Sequence, residues 1–140
     1  MKSLFAKSLL LFFIASLGTS VAAAAENFSM SEITDHVFHV QGPTGNTLVA
    51  VDNDGLILVD GVPTEFAREY LEFVREKTGI DTIKTLVLSH WHPEVTGLNS
   101  VLGPQGIEIV AHENTRQWLG STIRQRGETV LHTPMAVEQL

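Results

Sequence analysis

The chain has 140 residues, with 9 basic against 16 acidic side chains and no cysteine. A formal charge of −7 with no Lys/Arg cluster argues against nucleic acid and anionic membrane as partners. Without cysteine there is neither a disulfide nor a thiolate ligand, so any metal must be held by His, Asp or Glu.

The first segment reads as an export signal. Lys2 and Lys7 supply positive charge, residues 8–17 form a short apolar run, and Ala23-Ala24-Ala25 is a small-residue cleavage pattern. The run is shorter than the roughly 18 apolar residues a membrane span needs. Cleavage after Ala25 leaves about 115 residues, enough for one small domain and not for two. The expected division is therefore residues 1–25 as signal peptide and 26–140 as one domain. The expected destination is outside the cytoplasm, with the periplasm favoured, and no membrane contact is expected after cleavage.

His36–Val40 then reads as a short strand, Gly42-Pro-Thr-Gly45 as a turn and Asn46–Val51 as a second strand. Asp52-Asn-Asp-Gly55 closes a hairpin-like turn. Leu56–Val59 is apolar throughout, which predicts a strand buried on both faces. Thr64–Thr78 predicts an amphipathic helix: Phe66, Tyr70, Phe73 and Val74 share one face, and Gly79 provides the stop. Thr82–Ser89 is the next strand, and Glu94 to about Leu102 a short helix broken by Gly103-Pro104. Ile107–Ala111 reads as another buried strand and Asn114 to about Ile123 as another helix. This alternation predicts an α/β fold, a mixed sheet with helical crossovers. The tail after Gly127 carries no strong pattern, and its stop at Leu140 without a terminating element suggests the front of a longer domain.

Chemistry concentrates in Ser89-His-Trp-His-Pro-Glu-Val-Thr-Gly-Leu-Asn99. In an extended segment, residues i and i+2 point to one side, so His90 and His92 can reach a single ion while Trp91 turns away into packing. Pro93 ends the strand and suits the first turn of a helix. Glu94 then sits near a helix N-terminus at the same end of the sheet. Asp60 and His112 end two other strands. Ligand sites in parallel sheets form beyond the carboxyl ends of the strands, where these residues gather. Each has a plainer alternative. The histidines can be a hydrogen-bonded pair at a strand end, and Glu94 an ordinary acid in a first turn. Asp60 can be a turn former before Gly61, and His112 a helix lead-in. Trp91 and Trp118 read as packing, and His36 and His39 face opposite sides of their strand.

The stretch from Ser89 to Asn99 resembles the His-x-His-x-Asp-His metal motif of the metallo-β-lactamase superfamily of hydrolases. The order of elements from Leu56 to Thr115 is similar as well. The resemblance implies the N-terminal half of an αββα sandwich. It implies His90 and His92 as ligands of a first zinc and Glu94 in the place of an Asp that binds a second metal. It also gives Glu94 and Asp60 catalytic or supporting roles, and matches Gly97 and Asn99 to the motif's later Gly and Asn. Val95 stands where the family has a further histidine, and Leu98 where it has a glycine. One zinc ion is therefore expected rather than two, with other divalent metals left open. The family's remaining ligands come from its second half, and the one histidine after His112 here is His132. The implied activity is that of an exported metal-dependent hydrolase acting on an ester, amide or thioester-like bond of a small molecule. The alternative is a non-catalytic half-domain that self-associates or docks on a second-half partner chain. A small binding module without metal is a third reading.

Overall fold

The computed structural model describes residues 27–121 and, beyond them, the short strands Arg124–Gln125 and Glu128–Thr129. The expected signal peptide, His132 and the rest of the tail lie outside the described residues. In chain order the elements are β1 (Ser29–Thr34), β2 (Val37–Gln41), β3 (Asn46–Asp52), β4 (Gly55–Val59), α1 (Ala67–Thr78), β5 (Ile83–Leu88), α2 (Pro93–Thr96), α3 (Asn99–Leu102), β6 (Glu108–Ala111) and α4 (Glu113–Leu119). The two later strands, β7 and β8, pair only with each other.

The sheet runs β1-β2-β3-β4-β5-β6, so every strand lies beside its sequence neighbour. The first four are antiparallel, and β4, β5 and β6 are parallel. Parallel neighbours require crossovers, supplied here by α1 and by the α2–α3 pair. Two right-handed crossovers that step in one direction across a sheet place their helices on one face. The core follows from this. Val40, Val49, Leu56, Leu58 and Leu86 line the helix-side face. They join Tyr70, Phe73, Val74, Leu98, Leu102 and Leu119 in one buried cluster. Each such side chain contributes roughly 1.5–3 kcal/mol by its burial.

Local chemistry explains the joints. In the β2–β3 loop Gly42 N–H donates to Gly45 carbonyl at 2.8 Å. The β3–β4 hairpin pairs Asp52 with Gly55, and Lys84 on β5 reaches Asp52 and Asp54 at 3.4 and 3.3 Å. Asp52 is held below the usual carboxylate range, first by the backbone N–H of Asn53 and then by the Lys84 ammonium. α1 ends at Gly79, whose φ of 70° is left-handed and whose N–H closes on Arg75. Tyr70 is fully buried, and its hydroxyl meets that of Thr47 at 2.7 Å. Burial pushes the phenol up to about 12.

Four expectations need correction. β1 was not expected: Ser29–Thr34 is mostly polar and exposed, and it forms by pairing with β2 rather than by apolar alternation. The single helix over 94–102 is two four-residue helices parted at Gly97 and Leu98. A Cβ on Gly97 would collide with the backbone of Val62, Pro63 and Thr64, so the chain turns where the β4–α1 loop crosses it. β4 is not buried on both faces. Leu56 and Leu58 are buried, whereas Ile57 and Val59 are half-buried because the described helices cover only one side. β6 likewise buries Ile109 but leaves Val110 42% exposed. Across the open face, His39, Leu48, Val59, Val87 and Val110 stand side by side in register.

Candidate metal centre

The site begins with two strand ends. β4 finishes at Val59, and Asp60 follows in the left-handed region at φ 61°. A non-glycine residue held there costs about 1–3 kcal/mol, and Asp is among the residues that tolerate it best. Asp60 N–H donates to Val87 carbonyl at 2.8 Å, which ties the bend to β5. The bend aims the carboxylate at the end of that neighbouring strand. There Asp60 accepts from Ser89 N–H at 2.7 Å and from the Ser89 hydroxyl at 2.6 Å.

The same hydroxyl lies 2.8 Å from His90 Nδ1. Proton accounting fixes the arrangement. An ionised carboxylate only accepts, so the single Ser89 O–H points to Asp60. Ser89 Oγ must then accept from His90 Nδ1–H, and the lone pair of His90 is left on Nε2. A ligand histidine is commonly oriented in this way, with its far nitrogen donating to a neighbouring acceptor.

After His90 the chain stays extended. The His92 ring lies 4.8 Å from that of His90 at 83°, edge to face, so the two imidazoles share one side as the i, i+2 spacing predicts. Pro93 opens α2, and Glu94 sits in its first turn. Glu94 Oε1 is 3.8 Å from His92 Nδ1. One ligand atom each from His90, His92 and Glu94 lies within 4.8 Å of the others. It is the one such cluster among the described residues.

These donors fit a divalent ion. Ligand atoms about 2.0–2.1 Å from zinc stand roughly 3.4 Å apart in tetrahedral geometry. The three atoms must therefore close by up to about 1.5 Å. The His92 and Glu94 side chains are 43% and 48% exposed and free to make that adjustment. Two histidines and one glutamate with a fourth position open is a donor set that catalytic zinc uses.

The other residues singled out in the sequence are elsewhere. His112 is the N-cap of α4, where its Nδ1 accepts from Asn114 N–H at 3.1 Å. That nitrogen is engaged by the helix, and the plainer reading of His112 holds. Val95 is buried and Asn99 fully so, and neither belongs to the triad. His36 lies in the β1–β2 turn, and His39 meets Ser31 at 3.4 Å. Trp91 does pack against the core, but Trp118 does not belong there: it is 49% exposed and stacks on Trp91. Ser89 was overlooked. The available signal was a hydroxyl immediately before the first histidine, on a strand whose neighbour ends in a carboxylate.

No protein-family model and no curated protein sequence matches the chain. Its fold is similar to that in the crystal structure of BJP-1, a subclass B3 metallo-β-lactamase of Bradyrhizobium japonicum. The TM-score is 0.57 with 22% sequence identity, over 67% of this chain and 36% of that one. This chain thus matches little more than a third of that protein's length, and the likeness is one of fold. A mixed six-stranded sheet with helical crossovers, carrying a His-x-His-x-Glu cluster at its carboxyl edge, gives the described residues a fold like that of part of a metallo-β-lactamase.

Proposed function

We propose that this chain is the metal-binding half of an exported hydrolase that acts on an ester, amide or thioester-like bond of a small molecule. The observation that carries the reading is the convergence of His90, His92 and Glu94 at the carboxyl edge of the sheet, with His90 oriented through Ser89 by Asp60. His90 Nε2, a His92 ring nitrogen and a Glu94 oxygen would hold one divalent ion, with zinc favoured. When bound, such an ion supplies a water acidified toward a pKa of about 7 and a polarised substrate oxygen. The Glu94 side chain is 48% exposed, and its second oxygen would be available to accept a proton. Asp60 has both oxygens engaged by Ser89, so this reading gives it a positioning role rather than proton transfer. Export rests on the charged, apolar and alanine-rich order of residues 2–25.

Zinc uptake by the purified full chain tests the reading. Calorimetric titration with zinc chloride is expected to give one equivalent for the wild type and none for the His90→Ala/His92→Ala double variant. Equal uptake by the two proteins would remove the basis of the reading.

A second reading is favoured by the open sheet face. The row Leu48, Val59, Val87 and Val110 is apolar and in register, with Leu48 and Val110 36% and 42% exposed. Contiguous apolar surface of this kind marks an interaction site. On this reading the half-domain self-associates or docks on a second-half partner chain through that face.

A further inference from the structure

Beside the triad lies a set of rings that the metal reading does not use. Trp118, on α4, stacks on Trp91 with centroids 5.3 Å apart and planes 22° from parallel. Trp91 in turn lies 4.3 Å from the His92 ring. The rings thus lead from the surface of α4 to a candidate metal ligand in two short steps. Trp118 is one of four large apolar side chains exposed among the described residues, at 49%. It borders an open depression of about 340 Å³ together with Asn114, Gln117 and Ser121. Trp91 anchors the stack by packing against the core. A rigid indole with an accessible surface and amide and hydroxyl groups around it offers dispersion over a flat area and hydrogen bonds at its margin. An aliphatic chain would use the first and waste the planarity, whereas an aromatic ring matches both surface and geometry.

We propose that the Trp118–Trp91 stack is the docking platform for a planar aromatic group of the substrate, seated beside the metal centre. The assignment of that group to a substrate rests on the hydrolase reading above; the platform itself does not require the metal.

The test uses the full chain and 2-naphthol as probe, titrated by calorimetry with and without zinc chloride. Saturable binding is expected in both conditions. Trp118→Ala should weaken it by roughly five- to tenfold, while Trp118→Phe, which keeps an aromatic face, should retain most of it. With zinc present, 2-naphthohydroxamate should bind more tightly than acetohydroxamate, by a factor that Trp118→Ala removes. Naphthol binding that is absent, or that Trp118→Ala leaves unchanged, overturns the platform whatever zinc does. Naphthol binding that depends on Trp118, with a hydroxamate preference that does not, overturns its link to the metal centre. Zinc uptake that survives loss of both histidines sinks the hydrolase reading instead and leaves the naphthol result to decide the platform alone.

Discussion

Ser89 carries more of the candidate site than its size suggests. Its hydroxyl is shared between the Asp60 carboxylate and His90 Nδ1, so the proton pattern of three residues depends on one oxygen. Ser89→Ala leaves His90 in place but frees its ring to rotate and change tautomer. Loss of such an orienting partner typically costs 10–100-fold in metal affinity. Competition against a chromophoric chelator should show a zinc affinity lower by roughly that factor, with Ser89→Thr close to the wild type. An unchanged affinity in Ser89→Ala would mean that the hydroxyl merely satisfies Asp60. Tyr70 offers a second test at this scale, because it is the sole tyrosine in the chain and its ionisation can be read directly in the ultraviolet. Burial holds the phenol protonated up to about 12 in the folded chain, against an ordinary value of 10.0. The folded state therefore binds this proton more tightly than the unfolded state. Its contribution is complete below pH 10 and is lost between pH 10 and about 12. Within that window stability should fall by up to about 1.4 kcal/mol per pH unit from this group. Tyr70→Phe should remove that part of the slope in chemical denaturation. At neutral pH it leaves the buried Thr47 hydroxyl without a partner, at a cost of about 1–3 kcal/mol.

Among the elements, the α2–α3 joint decides where the triad sits. Its apolar side chains Val95, Leu98 and Leu102 are buried, and Gly61 N–H holds the Val95 carbonyl at 2.8 Å. Gly97 lets this joint lie directly on the Val62–Thr64 backbone. No side chain can be accommodated there by rotamer change, since the obstacle is main chain. Gly97→Ala should therefore destabilise the fold by about 1–3 kcal/mol or more, as other overpacked sites do. The denaturation midpoint measures this. A midpoint equal to that of the wild type would show that the loop gives way freely.

For the whole molecule, the feature that remains to be used is the sheet face opposite the helices. Its central row alternates with buried residues along each strand, so the pattern is that of an amphipathic sheet with one face packed. Placing a charge in the middle of the row, as in Val87→Lys, should leave the helix-side core intact. If this face is covered by a second copy, the variant should shift the concentration dependence of sedimentation toward monomer. An identical sedimentation profile would place the contact elsewhere. Among the described residues no helix is long and apolar enough to cross a membrane.

The amino-acid sequence by itself determined the periodic parts: the α1 stripe of Tyr70, Phe73 and Val74, the Gly79 stop, the β3–β4 hairpin and the same-side pair His90 and His92. These follow from local geometry, with a repeat of 3.6 in helices, 2 in strands and special dihedrals at glycine. Only the tertiary structure decided the rest. The polar β1 exists because β2 offers an edge, and Gly97 breaks a helix because a distant loop crosses it. Ser89 joins Asp60 to His90 because β4 and β5 are neighbours. Likewise the apolar runs in β4 and β6 could not tell one-sided from two-sided burial. An apolar side chain records its affinity for cover, while the position of the helices determines whether cover is there.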